Sequence, residues 1–443
     1  MRAENRETDA CFTRRSAMAA MAVGTAGAVV AREAGAEQRP VKPRPRIAAV
    51  VTEYRKASHG QGIIDRLMDG YGWKGGWHHP AVDVVSLYVD QRPTGDLTDE
   101  RLARHPQLKL YPTIAEALMR GTDSLAVDGV MLIGEHGKYP RNAKGQHLYP
   151  RYPFFQAVVE VFRKTGKTAP VFNDKHLSWN WDWARSMVDQ SRELNFPFLA
   201  GSSLPVTWRI PEQETPTDAK VVEGVCVGYG GVDSYDFHGL ESLQCMVERR
   251  KGGETGVSAV EAFRGDAVWK VLAEQPDGAK PPTRALFDAC LCRSFRLSSP
   301  LPGYGNAFPN TDQLPALVRD PILYRIFYKD GTLGNLFMMN GLVNDFTVAL
   351  RLEGDGPILS TQLNLPGLAP GQTLPNFFSP LARHCETMFV TGKAPYPVER
   401  TLLTSGILSA AVDLLASGQT RLDTPHLSTI AYQPPRESQF MRS

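Results

Sequence analysis

The chain has 443 residues, 42% of them hydrophobic and 22% charged, with a formal net charge of +2. That composition belongs to a globular protein long enough for two domains. It excludes a polybasic nucleic-acid surface, and without an unbroken apolar run of about 18 residues no membrane span is implied in the mature form.

Residues 1–36 read as a segment apart. Thr13–Ala31 (TRRSAMAAMAVGTAGAVVA) joins a twin arginine to a weakly apolar, Ala-rich stretch, and Ala34–Ala36 supplies the small residues of a cleavage site. Ala17 and Met18 stand where Phe-Leu is usual after the arginines. The expectation is a twin-arginine signal peptide and a periplasmic or secreted protein, folded before export. The six cysteines fit that route: without Cys11 an odd five remain, so they read as buried small hydrophobes and not as a disulfide framework.

After a Pro-rich lead-in, strands and helices alternate. Arg46–Thr52 is a β-branched strand, Gly62–Tyr71 has helical spacing, and Val82–Asp90 is a strand. A short helix (LTDERLARH) and a short strand (LKLYP) follow. Thr113–Arg120 opens on a capping box, Thr113 with Glu116. Val127–Glu135 is a strand, the segment from Tyr152 to Lys167 a helix that ends at Gly166, Ala169–Asp174 a strand, the stretch from Trp181 to Leu194 a helix, and Phe196–Ser203 a strand. Strands that are apolar throughout and separated by helices predict a doubly wound, Rossmann-like parallel sheet over 44–203.

Residues 204–443 change character. VEGVCVGYGG, GVSAVEAF and NDFTVALRLEGD read as strands, LFDACLCRSF as a helix, and KDGT as a hairpin turn between strand-like runs. Thr404–Gly418 is an amphipathic helix ended by glycine. This half is expected to be an α+β domain with a large, mostly antiparallel sheet.

In an open α/β sheet the ligand sits at the carboxyl ends of the strands. There Asn173, Asp174, Lys175 and His176 end one strand, and Glu135 and His136 end its neighbour. Gly134–Pro153 is a long connection rich in aromatic and charged residues, among them Arg151, and reads as an ordered loop over the ligand cleft. Trp179 follows within WNWDW, whose three tryptophans cannot share one helical face; Trp179 is the candidate to cap the cleft.

The order of these elements resembles the glucose–fructose oxidoreductase and inositol dehydrogenase (Gfo/Idh/MocA) family over nearly the whole mature chain. GKTAPVFNDKHLS stands where that family carries G-K-x-V-x-x-E-K-P: Lys175 matches the lysine, Asp174 replaces the Glu and His176 the Pro. GGVDSYDFHGLESLQCMV resembles G-G-x-x-x-D-x-G-x-H, with His238 at the histidine and Asp233 or Asp236 near the acid position. GILSAAVDLLASGQTRLDTP resembles the closing helix. The resemblance implies an NAD- or NADP-dependent oxidoreductase of a sugar or polyol hydroxyl or keto group. His238 would take the hydroxyl proton and Lys175 would stabilise the alkoxide, with Asp174 beside them. It also implies a homo-oligomer packed through the open face of the C-terminal sheet.

The cofactor loop departs from that pattern. Instead of G-x-G-x-x-G the first strand runs into VTEYRKASHGQGI, which keeps only Gly60 and Gly62. Cofactor contacts are expected from Gly60, Gly62, Arg55, Asp90 at the second strand end for a ribose hydroxyl, and Glu135. Substrate contacts are expected from His136, His176, Trp179, Arg151 and Asp236. Two other readings stay open on the same fold. One is a non-redox sugar lyase or hydrolase with a metal at Glu135, His136, Asp174 and His176; the other is a carbohydrate-binding protein. No fixed short spacing such as H-E-x-x-H supports a metal, and none is assigned.

Overall fold

The computed structural model describes residues 43–274, 283–303, 307–365 and 376–442. The expected signal peptide lies outside them. The strands of the first sheet are β1 (Arg46–Glu53), β4 (Asp83–Gln91), β5 (Lys109–Leu110), β6 (Gly129–Ile133), β7 (Val171–Asp174) and β8 (Phe198–Gly201); a small hairpin, β2 (Tyr71–Trp73) and β3 (Gly76–His78), stands between β1 and β4. All six run parallel in the order β5-β4-β1-β6-β7-β8. This is the doubly wound order predicted, with its switch point beside β1.

The apolar runs are explained by cover on both faces. Ala48, Val50, Val130, Leu132 and Val171 pack on α3 (Ile114–Met119), α4 (Arg151–Thr165) and α5 (Trp181–Glu193). Their alternates Ile47, Ala49, Val51, Met131 and Ile133 face α1 (His59–Asp69) and α10 (Phe378–Thr391). Thr113 Oγ1 accepts from the Glu116 amide at 3.1 Å, which realises the capping box. A short α2 (Thr98–Arg104) follows β4. Helix α10 had no counterpart in the sequence reading: it follows β15 (Leu359–Leu363) of the second sheet and returns to close the first.

The second sheet has eight strands in the order β16-β11-β12-β13-β10-β14-β15-β9. These are β9 (Arg209–Ile210), β10 (Val221–Gly228), β11 (Val257–Arg264), β12 (Ile322–Tyr328), β13 (Leu333–Met338), β14 (Phe346–Leu352), β15 (Leu359–Leu363) and β16 (Arg421–Asp423). Among the described residues only β10 and β13 of this sheet pair in parallel. Helices α6 (Tyr235–Val247) and α11 (Glu399–Ser417) cover the face toward the first sheet.

The opposite face was expected to be open for self-association. Instead it carries α7 (Asp266–Ala273), α8 (Thr283–Arg293) and α9 (Leu314–Leu317), which seal Val225, Val227, Phe337 and Ala349 into a third core. The segment between β11 and β12 is long enough to fold back over the sheet, so this apolar face is consumed within the chain. The five cysteines of the described residues are all unpaired; four are buried and Cys292 is exposed.

Candidate active site

The polar ends of β6 and β7 are fixed by local geometry. Strand β7 is wholly buried, and directly after it Lys175 turns with φ +69° while its amide donates to Gly201 O at 3.1 Å. A left-handed lysine costs on the order of 1 kcal/mol or more. Asn173 holds the turn, its Nδ2 donating to the carbonyls of Asp174 and His176, both at 3.2 Å. The turn delivers Lys175 Nζ to 2.7 Å from His238 Nε2, across the seam to the first turn of α6.

Helix α6 is docked at that seam. Glu241, one turn beyond His238, accepts from the Ser202 amide at 2.7 Å, just past the end of β8. Gly201, with φ +126°, leaves room for it: a Cβ there would lie 2.6 Å from the Glu241 carboxylate. Burial, and then the field of Lys175, hold the His238 imidazole well below its usual pKa, so it is neutral and accepts from the ammonium.

Glu135 is the anion of the site. Its carboxylate lies 2.6 Å from Arg151 Nη2 and 3.6 Å from Lys175 Nζ. Burial alone would raise its pKa, but Lys175 and Arg151 outweigh that and hold it well below the usual range. Arg151, the first residue of α4, is 1% exposed and also donates to His176 Nε2 at 2.9 Å. It is therefore a buried hub and not a ligand arm reaching from the loop. His176 lies behind it, 3.8 Å from Asp233, and burial followed by Arg151 keeps it neutral.

Asp174 turns the other way. Its Oδ2 accepts from His59 Nδ1 at 2.7 Å, and the His59 ring stands edge-on to His136 at 5.3 Å. Burial, and then His59, lower the His136 pKa to about 4. His59 escaped the sequence reading because a histidine in the first turn of a helix carries no motif of its own. Gln146 was missed because a single loop glutamine carries no motif either; its Nε2 donates to Asp233 at 3.1 Å and to the Trp179 carbonyl at 3.2 Å, which ties the long loop to both halves of the chain.

Several expected contacts already have partners within the fold. Asp236 is fully buried, accepts from Tyr324 OH at 2.9 Å and from the Ser234 and Phe237 amides, and so anchors α6 away from the site. Positions 236 and 238 lie about 200° apart on a helix, which is why both cannot face one cleft. Trp179 packs on Trp183, which stacks on Tyr152, so it belongs to the α4–α5 packing. The two glycines serve packing as well. A Cβ at Gly60 would lie 2.9 Å from Glu53 O, and one at Gly62 would lie 3.0 Å from the Phe378 ring. Arg55 Nε pairs with Glu53 at 2.7 Å. Asp90 is exposed and accepts from Tyr88 OH at 2.9 Å and Tyr139 OH at 2.6 Å.

Glu135, His136, Asp174 and His176 do not converge as a metal set, because each carboxylate is already matched to a cation or an imidazole. Among the described residues no group of three or more His, Cys, Asp or Glu is placed to hold a metal.

No family model matches the chain, and no curated relative does. Solved structures do share its fold. GenD2 from gentamicin A biosynthesis, solved in complex with NAD, superposes with a TM-score of 0.52 at 13% identity over 86% of this chain and 96% of its own. A probable dehydrogenase from Thermotoga maritima gives a TM-score of 0.50 at 11% identity over 86% and 99%. The chain shares with them its fold, a doubly wound parallel sheet joined to a larger, mostly antiparallel one, as the order of its elements implied.

Proposed function

We propose that this protein is a nicotinamide-dependent oxidoreductase acting on a hydroxyl or keto group of a sugar or polyol. The observation that carries the reading is the 2.7 Å contact between Lys175 Nζ and His238 Nε2 at the carboxyl end of β7.

The residues present fit a dinucleotide, by a different grip from a glycine loop. Helix α1 opens beside the switch point, and the first amides of a helix are donors for a phosphate. Arg55 is half-buried and Lys56 exposed just before it. The Asp90 oxygens each keep a lone pair for a ribose hydroxyl beyond the tyrosines they already bind. At the other end, Asp174 Oδ1 and His136 Nε2 are buried without a partner among the described residues, a polar vacancy suited to a ligand amide.

A bound nicotinamide would supply the hydride donor or acceptor for the substrate carbon. The chain's own residues handle the proton and the charge. As Lys175 turns its ammonium from His238 Nε2 to the developing alkoxide, the freed Nε2 lone pair takes the hydroxyl proton, and Arg151, by pairing with Glu135, leaves the Lys175 charge uncancelled. Export by the twin-arginine route fits an enzyme loaded with its cofactor before leaving the cytosol.

The test is nicotinamide absorbance with NAD+ or NADP+ and a panel of cyclic polyols and aldoses. Turnover that drops about 100-fold or more in Lys175→Met and in His238→Asn supports the assignment. Turnover unchanged in both variants contradicts it.

A further inference from the structure

His59 and Asp174 have no part in the hydroxyl chemistry above, yet they are built as an acid–base pair. Asp174 is fully buried at the end of β7, and its Oδ2 lies 2.7 Å from His59 Nδ1. A carboxylate in that position holds the proton on Nδ1 and leaves Nε2 as the lone-pair nitrogen. The His59 side chain is 17% exposed, so the lone pair is within reach of a ligand. Its ring is fixed edge-on between His136 at 5.3 Å and Phe378 at 5.1 Å. The charged and titratable groups around the pair come from every neighbouring element: Lys175 directly after β7, Glu135 and His136 after β6, Arg55 from the loop before α1, His238 from α6 and Cys385 from α10. The second Asp174 oxygen is buried without a partner among the described residues.

We infer that His59, oriented by Asp174, is a second proton-transfer group of this site, serving a carbon acid where Lys175 and His238 serve a hydroxyl. The inference rests on the sugar or polyol reading. Its substrate class is the polyhydroxy ketone, whose C–H bond beside the carbonyl is acidic. His59 Nε2 takes that proton, and the C–H electron pair becomes the C=C bond of an enediolate. The former carbonyl oxygen carries the negative charge toward Lys175. Return of the proton to carbon restores the ketone, so no oxidant or reductant is consumed.

Two measurements test this. The first needs no turnover: the purified protein is treated with diethyl pyrocarbonate and each histidine is followed by peptide mass. His59 should react, slow by about tenfold or more in Asp174→Asn, where the amide donates to Nδ1 and shifts the tautomer, and keep its rate in Lys175→Met. An unreactive His59, or a rate indifferent to Asp174→Asn, overturns the pair whether or not the protein oxidises any polyol. The second follows deuterium entering from D2O at the carbon beside the carbonyl of the ketone the enzyme forms, or of added 2-keto-myo-inositol. Entry lost in His59→Asn supports the carbon-acid step. Equal entry in both proteins, or none with a reactive His59, overturns it; so does a His59→Asn variant that loses only NAD(H) affinity while its pH profile stays fixed.

Discussion

Arg151 and Glu135 form an ion pair at 2.6 Å with neither side chain more than 10% exposed. The pair joins the first residue of α4 to the end of β6, and it leaves Lys175, 3.6 Å from the same carboxylate, aimed at His238. Removing one partner of a buried pair leaves the other charge uncompensated. Arg151→Met should therefore cost about 3–5 kcal/mol in urea unfolding. Arg151→Lys should recover only part, since an ammonium cannot serve Glu135 and His176 with one planar fork. A Met variant as stable as wild type would show that the pair does not organise the site.

Asp233 gives the protein a pH signature. Burial raises its pKa to about 7 from an ordinary 3.8, a gap of about 3 units. A raised carboxyl favours the folded state in its neutral form, so its cost appears as pH climbs from about 4 and is complete above about 7. At about 1.4 kcal/mol per unit, Asp233→Asn should gain up to about 4 kcal/mol on wild type between pH 4 and pH 8. Glu135 has the opposite sign. Its pKa is lowered, so its contribution is present above the unfolded carboxyl range and is lost as acid reaches the folded value. Denaturant midpoints across pH for wild type, Asp233→Asn and Glu135→Gln separate the two. A gap between Asp233→Asn and wild type that does not change with pH contradicts the assignment.

Gly201 sets the distance between the two sheets' chemistry. Alanine there meets both a left-handed φ of +126° and a Glu241 oxygen at 2.6 Å. Gly201→Ala should lose about 1–3 kcal/mol from backbone strain alone. It should also push α6 outward, which lengthens the Lys175–His238 contact. Imidazole 15N shifts report that contact directly, and a His238 signal identical to wild type would show that α6 is not held by this seam.

Much of the fold was legible because strands covered on both faces are apolar throughout. The runs around Ile47, Met131 and Phe172 could be nothing else once helices separated them. Helix α10 was not, because its apolar stripe (Leu381, Cys385, Met388) faces a sheet about 200 residues and more earlier in the chain. Nor were α7 and α8 read as the lid of the second sheet, since helical spacing says which face is apolar but not what it covers.

In the site, Lys175 and His238 were singled out through the family resemblance of the motifs around them, and the fold brings the two side chains together. Asp233 and Asp236 were not separable without the helix start, and only Asp233 faces the cluster, with φ +62° and a 3.8 Å approach to His176. His59 and Gln146 meet the site through tertiary contacts that no local pattern encodes. Gly60 and Gly62 show the reverse case. A pattern suggesting phosphate contact is used to bring α1 against Glu53 and Phe378.

On the proposed function, a nicotinamide dinucleotide binds this fold without a glycine loop. Native mass spectrometry of the protein folded in its own cytosol, set against the same sample denatured, tests it most directly. The account predicts a mass difference equal to NAD(H) or NADP(H). No bound nucleotide, and none taken up when NAD+ or NADP+ is added, would contradict it.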